Sequence, residues 1–280
     1  GNYDDAIAAF EFFGDYKDCK YLVVYYSACK LEAEAEENPE KYMEAAEKFK
    51  SISLFRDSSA RAEACKQKLY GVASLWLFRE DYQTAFSYFH LLNGFSDSTE
   101  KMKECKYGMA GIQLNEGNYA SAISIFAELG DYRDSADLLE KTVMLSNLEI
   151  KTKYALETRE GDTVLQYDGR YFYQDDKADG LVMTYTFSVL NNNDSPVDLS
   201  ITPVIDDDAY LPNDLHIEVG EEKVLIISSD FFPELFIDGE HTIVWRIDGI
   251  QVLSDNYTVL QGVSDERKET IRIAEGMKTE

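Results

Sequence analysis

The chain has 280 residues, 45% of them hydrophobic and 13% aromatic, which is enough for more than one packed core. Its formal net charge is −26 at pH 7, and residues 1–145 carry 16 basic and 25 acidic side chains against 11 and 28 in residues 146–280. An acidic surface of this kind repels phosphate groups, so we expect no nucleic-acid partner and no direct lipid binding. No segment has the roughly 18 apolar residues of a membrane span, and no signal-peptide pattern opens the sequence.

A nineteen-residue motif occurs twice in the first half of the chain. Residues 1–19 read GNYDDAIAAFEFFGDYKDC, residues 117–135 read GNYASAISIFAELGDYRDS, and ten of the nineteen positions are identical. A marker made of Tyr-x-x-Ala-x-x-x-Phe, with Asp eight residues after the Phe, recurs at Tyr3, Tyr42, Tyr82 and Tyr119. The spacings of 39, 40 and 37 residues predict an array of helical repeats.

Each part of the marker has a use in a pair of helices. The Ala and the Phe, four residues apart, share one helix face, where the small side chain admits a neighbouring helix. A second small residue, Ala33, Ala73 or Ala110, stands nine positions before the last three marker tyrosines. The repeated aspartate, at positions 18, 57, 97 and 134, is expected to start the next helix and to accept hydrogen bonds from its free N–H groups. The pattern therefore predicts an α-α solenoid over residues 1–146.

This pattern resembles the tetratricopeptide repeat family. In that family the ligand-facing residues lie on the first helix of each pair. In this sequence they correspond to the positions twelve and eight residues before a marker tyrosine. The resemblance thus implies a partner groove lined by Lys30, Glu34, Tyr70, Ser74, Tyr107 and Gly111. Only one of these residues is basic, so we expect a partner of basic or mixed character rather than an acidic C-terminal peptide.

Cysteines and histidines give no sign of a reactive site. Cys19, Cys29, Cys65 and Cys105 form no Cys-x-x-Cys pair and are interpreted as small buried residues. The three histidines, His90, His216 and His241, accompany no catalytic or metal-binding motif. We therefore expect a protein that is not an enzyme, with no cofactor and no metal site.

After residue 146 the pattern changes to short alternating segments such as LVMTYTFSVL (181–190), VDLSITPVI (197–205) and HTIVWRI (241–247). Separated by polar turns, they predict an antiparallel β-sandwich over residues 147–262, followed by a polar tail, 263–280. The expected fold class is thus multidomain α + β. The run GEHTIVWRIDGIQV (239–252) resembles the last strands of immunoglobulin-like modules of bacterial surface proteins.

Two features of this second half leave alternatives open. Asp206, Asp207 and Asp208 form either a solvated turn or a loose calcium site, because carboxylate oxygens suit calcium. Tyr171, Phe172 and Tyr173 offer aromatic rings of the kind that bind carbohydrate.

The favoured function is a non-enzymatic scaffold that binds a protein or peptide. The alternative is a cell-surface adhesin whose sandwich binds carbohydrate, with the repeats as a stalk. The resemblance implies an extracytoplasmic location, with anchoring by a segment outside this sequence, and a cytoplasmic location stays open. Because the first marker begins at the third residue, we also expect self-association through an uncapped N-terminal helix.

Overall fold

The computed structural model describes residues 2–158, 163–165, 171–174 and 181–261, and the predicted tail 263–280 lies outside them. The chain divides into two compact units. The first consists of Gly1–Ile112 with Ser124–Asp137, and the second of Gln113–Ile123 with Leu138–Glu280. The predicted boundary at residue 146 stays a prediction.

The described part of the N-terminal half is helical, as predicted. Its eight helices are α1 (Tyr3–Phe13), α2 (Cys19–Glu34), α3 (Lys41–Ser51), α4 (Ser58–Phe78), α5 (Tyr82–Leu91), α6 (Ser98–Asn115), α7 (Tyr119–Leu129) and α8 (Ser135–Ser146). Three marker tyrosines open a helix, and Tyr42 is the second residue of α3. The helix pairs therefore follow the repeat in the sequence.

The marker alanines and phenylalanines form the core of this half. In α3, α5 and α7 all six have no exposed surface: Ala45, Phe49, Ala85, Phe89, Ala122 and Phe126. The four cysteines are free and buried, as predicted, and burial raises the pKa of Cys65 and of Cys105 to about 11. In α1 the equivalent residues Ala6 and Phe10 are only half-buried.

The loops that carry the repeated aspartate have one backbone path. The residue before each aspartate is left-handed, with φ between 49° and 54°: Lys17, Arg56, Ser96 and Arg133. In all four loops the residue after the aspartate donates its N–H to the carbonyl of an aromatic residue, with an N···O distance of 3.1 Å. The pairs are Cys19 to Tyr16, Ser58 to Phe55, Ser98 to Phe95 and Ser135 to Tyr132. The loop thus places an aromatic ring and a carboxylate in a fixed relation.

The prediction that the carboxylate of the repeated aspartate caps the following helix is wrong. Asp18 and Asp57 stand at the N-cap positions of α2 and α4, but their carboxylates accept no N–H from these helices. Asp57 instead accepts a tyrosine hydroxyl from α2. Side-chain caps occur at other helix starts, where Asn2 accepts from the N–H of Asp5, and Asp81 accepts at 3.0 Å from the N–H of Thr84.

The predicted register of the first full repeat is also wrong. Ala33 is exposed, whereas Ala73 and Ala110 are fully buried. The buried small residue of α2 is Ala28, three positions after Tyr25, just as Ala73 comes three after Tyr70. Tyr25 lies 17 residues before Tyr42, but Tyr70 lies 12 before Tyr82, so this repeat is longer by 17 − 12 = 5 residues. The extra residues lengthen the turn after α2. Counting backwards from Tyr42 therefore assigns the wrong residues of α2 as equivalents of those in α4.

The C-terminal half forms two sheets, almost wholly antiparallel. The strands are β1 (Leu148–Thr158), β2 (Thr163–Leu165), β3 (Tyr171–Gln174), β4 (Leu181–Asn191), β5 (Val197–Ile205), β6 (Asp208–Ala209), β7 (Asn213–Ile217), β8 (Glu222–Ser228), β9 (Gly239–Ile247) and β10 (Ile250–Gln261). One sheet has the order β2-β1-β4-β8, and the other has the order β3-β10-β9-β5-β6, with β7 also paired to β5. The single parallel pair among the described strands is β3 with β10.

Aromatic side chains and one carboxylate join the two sheets. The Trp245 ring of β9 stacks against Phe187 of β4, with ring centres 4.2 Å apart. The carboxylate of Asp255, on β10, accepts hydrogen bonds from the hydroxyls of Tyr185 and Thr152, on β4 and β1. Buried rings and one hydrogen-bonded acid therefore connect β4 and β1 of one sheet with β9 and β10 of the other.

Candidate partner-binding site

One arrangement of side chains recurs wherever a first helix of a pair meets the following loop. In α4, the Tyr70 hydroxyl donates to Asp97 Oδ1 at 2.6 Å. The Tyr70 ring meets Phe89 and Phe95 edge-on, with ring centres 5.6 and 6.4 Å apart. The hydrogen bond to Asp97, together with burial, raises the pKa of Tyr70, so the donor stays protonated. We call the set formed by the helix phenylalanine, the loop aromatic residue and the aspartate a tyrosine socket.

Two further sockets in the described residues are filled in the same way. Tyr25 lies against Phe49 and Phe55, at 5.6 and 6.1 Å between ring centres, and donates to Asp57 at 2.7 Å. Tyr107 lies against Phe126 and Tyr132, at 6.3 and 6.1 Å, and donates to Asp134 at 2.6 Å. The aromatic edge contacts and the charge-assisted hydrogen bond therefore belong to the repeat itself.

The first marker has a socket that no tyrosine fills among the described residues. It consists of Phe10, Tyr16 and Asp18, at the positions of Phe89, Phe95 and Asp97. Phe10 is half-buried, Tyr16 is 61% exposed, and Asp18 is exposed. No hydrogen bond or ion pair engages the Asp18 carboxylate within the described part of the chain. We call this set the open socket.

Two exposed phenylalanines follow Phe10 in α1, and the Phe10 ring itself stacks on Tyr26 of α2 with ring centres 5.7 Å apart. Phe12 is 86% exposed and Phe13 is 57% exposed, and the two rings touch edge to face. Phe13 has the repeat position of Ile52 and Leu92, both of which are buried. Phe13 is therefore exposed at a position that is interior at the ends of α3 and α5, whereas Phe12 has the position of Ser51 and Leu91, which are exposed too. We call Phe10, Phe12, Phe13, Tyr16 and Asp18 the α1 surface.

An open pocket of about 390 Å³ adjoins this surface through Asp18. Its other walls are Tyr21 and the segment from Ser51 to Phe55. Tyr21 stacks on Phe55 with ring centres 5.6 Å apart, and Leu54 is fully exposed at a position that is Gly94 or Asp131 in later loops. An apolar residue at the tip of a loop, beside a pocket, adds to the surface that a partner could cover.

The six residues of the predicted groove are largely engaged within the chain. Lys30 pairs with Asp4 at 2.6 Å, and Glu34 pairs with Lys41 at 2.5 Å. Ser74 donates to the carbonyl of Tyr70 at 2.8 Å, and Tyr70 and Tyr107 fill sockets. A Cβ on Gly111 would meet nothing within 4 Å.

The five extra residues of the first full repeat change which residues of α2 are equivalent to Tyr70 and Ser74. The equivalents are Tyr25 and Cys29, and not Lys30 and Glu34. The groove as a binding surface stays a prediction. The open socket was missed by sequence reasoning, although the recurrence of an aromatic residue two positions before each repeated aspartate could have revealed it.

In the acidic turn 206–208, the carboxylate of Asp206 is engaged by neighbouring groups. Asp206 and Asp207 have left-handed backbones in the turn between β5 and β6. The carboxylate of Asp206 accepts the N–H of Thr242 at 2.8 Å and contacts His241 Nδ1 at 2.8 Å. Its oxygens are thus used to tie this turn to β9. Tyr171, Phe172 and Tyr173 lie in β3, but their side chains are outside the description.

Among the described residues, no three His, Cys, Asp or Glu side chains are placed to hold a metal ion. No described helix has the length and apolar character needed to cross a membrane.

Comparisons with known proteins give weak likenesses only. No family model matches the chain, and no curated protein matches it. Among solved structures, an alkylpurine DNA glycosylase from Pseudomonas fluorescens bound to DNA with an abasic-site analogue is similar at a TM-score of 0.27 and 10% identity. The match covers 92% of this chain and 65% of the glycosylase, so the chain spans less than two thirds of that enzyme.

Two other similar structures match a smaller share of the chain. A CARDB domain from Pyrococcus furiosus in complex with di-metal ions has a TM-score of 0.27 and 12% identity, over 41% of this chain and 90% of that one. An immunoglobulin-like protein from Pseudomonas aeruginosa has a TM-score of 0.22 and 10% identity, over 40% of this chain and 96% of that one.

The glycosylase contradicts two expectations, because it is an enzyme and is bound to DNA. The predictions that this chain is not an enzyme and has no nucleic-acid partner are therefore wrong as exclusions and are withdrawn. Their physical weakness is that a net charge of −26 describes the whole chain and does not exclude a local basic surface. At a TM-score of 0.27, the likeness assigns neither glycosylase activity nor DNA binding to this protein.

Proposed function

We propose that this protein is an interaction scaffold in which a solenoid of tetratricopeptide-like helix pairs binds a protein or peptide segment. In this proposal the C-terminal sheets form an immunoglobulin-like sandwich that acts as a spacer or second module. The observation that supports binding is the α1 surface with its adjoining pocket. Soluble proteins seldom leave contiguous aromatic rings uncovered unless a partner covers them.

The composition of this surface suits recognition. Aromatic side chains contribute most to binding when a partner buries them, because they carry a large apolar area and lose few rotamers. Phe12, Phe13 and Leu54 are each more than half exposed, so each has area left to bury. The carboxylate of Asp18 adds a polar group that fixes orientation.

The proposed location is extracytoplasmic, at a bacterial cell surface. It follows from the resemblance of the repeats and of GEHTIVWRIDGIQV to such proteins. Fractionation of cells that make the full-length protein tests this, and recovery in the soluble cytoplasmic fraction would contradict it.

Peptide selection tests binding. A displayed library of random peptides is selected on the immobilised chain, and selected peptides are titrated against two variants. Phe12→Ser with Phe13→Ser removes two rings of the α1 surface, and Phe78→Ser is the control, because Phe78 is 85% exposed on α4. We expect at least a tenfold loss of affinity in the first variant, about 1.4 kcal/mol, and less than a twofold loss in the control.

A titration with DNA tests whether the chain binds nucleic acid instead of a protein. Duplex DNA with and without an abasic site is titrated against the chain under the same conditions. If DNA binds tightly and no peptide is enriched, the protein scaffold proposal fails. Equal losses in the two phenylalanine variants would show that peptides bind elsewhere.

A further inference from the structure

We propose that two copies of this chain pair through strand β8, so that the β2-β1-β4-β8 sheets of two molecules join into one continuous antiparallel sheet. This pairing uses only the second half of the chain and does not depend on the scaffold function above. Each copy would complete the open sheet edge of the other.

The outer edge of β8 is unpaired among the described strands. β8 is the last strand of its sheet, and no other described strand pairs with the side that faces away from β4. The N–H of Ser229, directly after β8, donates to the carbonyl of Met183 in β4 at 2.9 Å. Successive residues of a strand direct their backbone groups to opposite sides. The N–H and carbonyl groups of Val224 and Ile226 therefore point to the free edge.

The side chains on the outer face of β8 are apolar at the centre of the strand. Val224 is 51% exposed and Ile226 is 66% exposed, and the two share a face because they are two residues apart. The edge strand β7 differs, since Asn213, Asp214 and His216 are exposed there. Charged side chains on an edge strand oppose unwanted pairing. β8 carries none at the two central positions of its outer face.

One charged residue of β8 stands on the inner face. Lys223 shares this face with the buried Ile227, four residues later. An inward-pointing charge can also protect an edge strand from pairing. Here the ammonium group of Lys223 lies 2.5 Å from the carboxylate of Glu221. Its charge is thus matched within the chain and is not desolvated alone when the edge is covered.

A second copy of β8 fits this edge in a register centred on Leu225. When two β8 strands run antiparallel about this residue, Val224 of each copy stands opposite Ile226 of the other, and each such pair exchanges two backbone hydrogen bonds. Glu222 stands opposite Ser228, so no two like charges of β8 face each other in this register. Cross-strand side-chain pairs of this kind stabilise a sheet.

A second copy is favoured over a separate extended peptide. A free peptide loses backbone freedom when it is ordered into a strand, at a cost of about 1–2 kcal/mol per residue. β8 is already held as a strand by its pairing with β4, so a second copy does not carry that cost. The pre-ordered strand that matches the open edge is therefore β8 of another molecule.

Net charge opposes the pairing and gives it a characteristic dependence on salt. Each copy carries a formal net charge of −26, so two copies repel at long range. Salt screens this repulsion, whereas the apolar pairs and backbone hydrogen bonds of β8 do not need opposite charges. The dimer should therefore become tighter as salt is added.

Sedimentation velocity over a wide range of protein concentration, at low and at high salt, measures the association of the full chain. Val224→Lys with Ile226→Lys places lysine opposite lysine at both central pairs, so we expect a dimer at least about tenfold weaker. The control, Leu211→Lys with Val219→Lys, adds the same two charges at positions that are 87% and 54% exposed and lie outside the strands. It should change the dissociation constant by less than about twofold. Thermal melting checks that both variants are folded.

A mixture of two single variants tests the register. Val224→Lys and Ile226→Glu are made as separate proteins. In a mixed dimer the introduced lysine and glutamate stand opposite each other, whereas in each protein alone the new charge faces an aliphatic side chain. The mixture should therefore associate about fivefold more tightly than either protein alone.

Other outcomes overturn the proposal. It fails if the parent stays monomeric at high salt, or if the double lysine variant and its control associate alike. It also fails if salt weakens the dimer, because ion pairs would then hold the two copies together. If Phe12→Ser with Phe13→Ser abolishes the dimer and the double lysine variant does not, association runs through the α1 surface and not through β8. If the mixture is no tighter than its components, two β8 strands do not meet in this register.

Discussion

The hydroxyl of Tyr70 and the carboxylate of Asp97, 27 residues apart in the sequence, are joined by a hydrogen bond of 2.6 Å. The bond connects the first helix of one pair to the loop that starts the next pair. Apolar packing alone tolerates small slips between helices, but a directional bond to a carboxylate is lost when the helices shift. The tyrosine socket therefore sets the register of the array as well as stabilising it.

Tyr70→Phe tests the contribution of this bond to stability. The substitution keeps the ring against Phe89 and Phe95 and removes only the donor, so we expect the free energy of unfolding to fall by about 1–2 kcal/mol. Urea denaturation measures it. Tyr16→Phe is the control, because Tyr16 is 61% exposed and its hydroxyl makes no hydrogen bond within the described residues. Equal losses in both variants would mean that the socket bond adds nothing.

A second prediction concerns the approach of two helices. Gly108 of α6 faces the ring of Tyr82, and a Cβ there would overlap three of the ring carbons. Gly108→Ala should therefore lower the free energy of unfolding by about 1–3 kcal/mol, since the ring must move out of a packed site. Gly111→Ala in the same helix meets nothing within 4 Å and should stabilise the protein by about 0.5–1 kcal/mol, because alanine favours the helix. Stabilisation by both changes would show that Tyr82 moves aside freely.

The sequence predicted the helical half well because its signal is periodic. Ala45 and Phe49 recur at one spacing, and a repeat of that spacing can bury its apolar face only by stacking. Counting backwards from Tyr42 failed, because five residues inserted before α3 shift the register without changing the composition of α2. Local patterns show which residues belong to a helix, but not how long the turn between two helices is.

The candidate site was harder to predict for a different reason. Asp18 and Asp57 each follow an aromatic and then a basic residue, and only the three-dimensional contacts show that Asp57 accepts a tyrosine hydroxyl and Asp18 does not. Likewise, nothing in the spacing of Asp206 indicates that its carboxylate ties a turn to Thr242 of β9. Pairings between distant residues depend on the fold, so they appear only once the structure is known.

The acid between the two sheets gives a third prediction. Asp255 accepts hydrogen bonds from Tyr185, which has no exposed surface, and from Thr152 at 3.1 Å. Asp255→Ala would leave the buried Tyr185 hydroxyl without this acceptor. We therefore expect the free energy of unfolding, measured by urea denaturation, to fall by about 2–4 kcal/mol. Ser254→Ala, at the exposed neighbouring position of β10, should change stability by less than about 0.5 kcal/mol. A small effect of Asp255→Ala would show that the hydroxyl finds another acceptor.

The fourth prediction concerns pH and the ion pairs between α2 and α4. The Glu32 carboxylate, 16% exposed, accepts from Arg61 at 2.5 Å and from Lys68 at 3.0 Å. Burial alone would raise the pKa of Glu32, but the hydrogen bonds from Lys68 and Arg61 bring it below its ordinary value of 4.5. The folded protein therefore binds this proton less readily than the unfolded chain does. The stability that Glu32 contributes is present above pH 4.5 and is lost as the pH falls through the lower folded value.

Glu32→Gln removes that titration and keeps the size of the side chain. At pH 7 the free energy of unfolding of the variant should be about 1–3 kcal/mol lower than that of the parent, because the half-buried Arg61 loses its charged partner. The difference should shrink at pH 3, where the parent's Glu32 becomes protonated as well. Glu36→Gln, at an exposed position two residues after α2, is the control and should show almost no difference at either pH. Urea denaturation of all three proteins at both pH values measures this, and a gap between parent and Glu32→Gln that stays constant down to pH 3 would show that the carboxylate charge does not stabilise the α2–α4 contact.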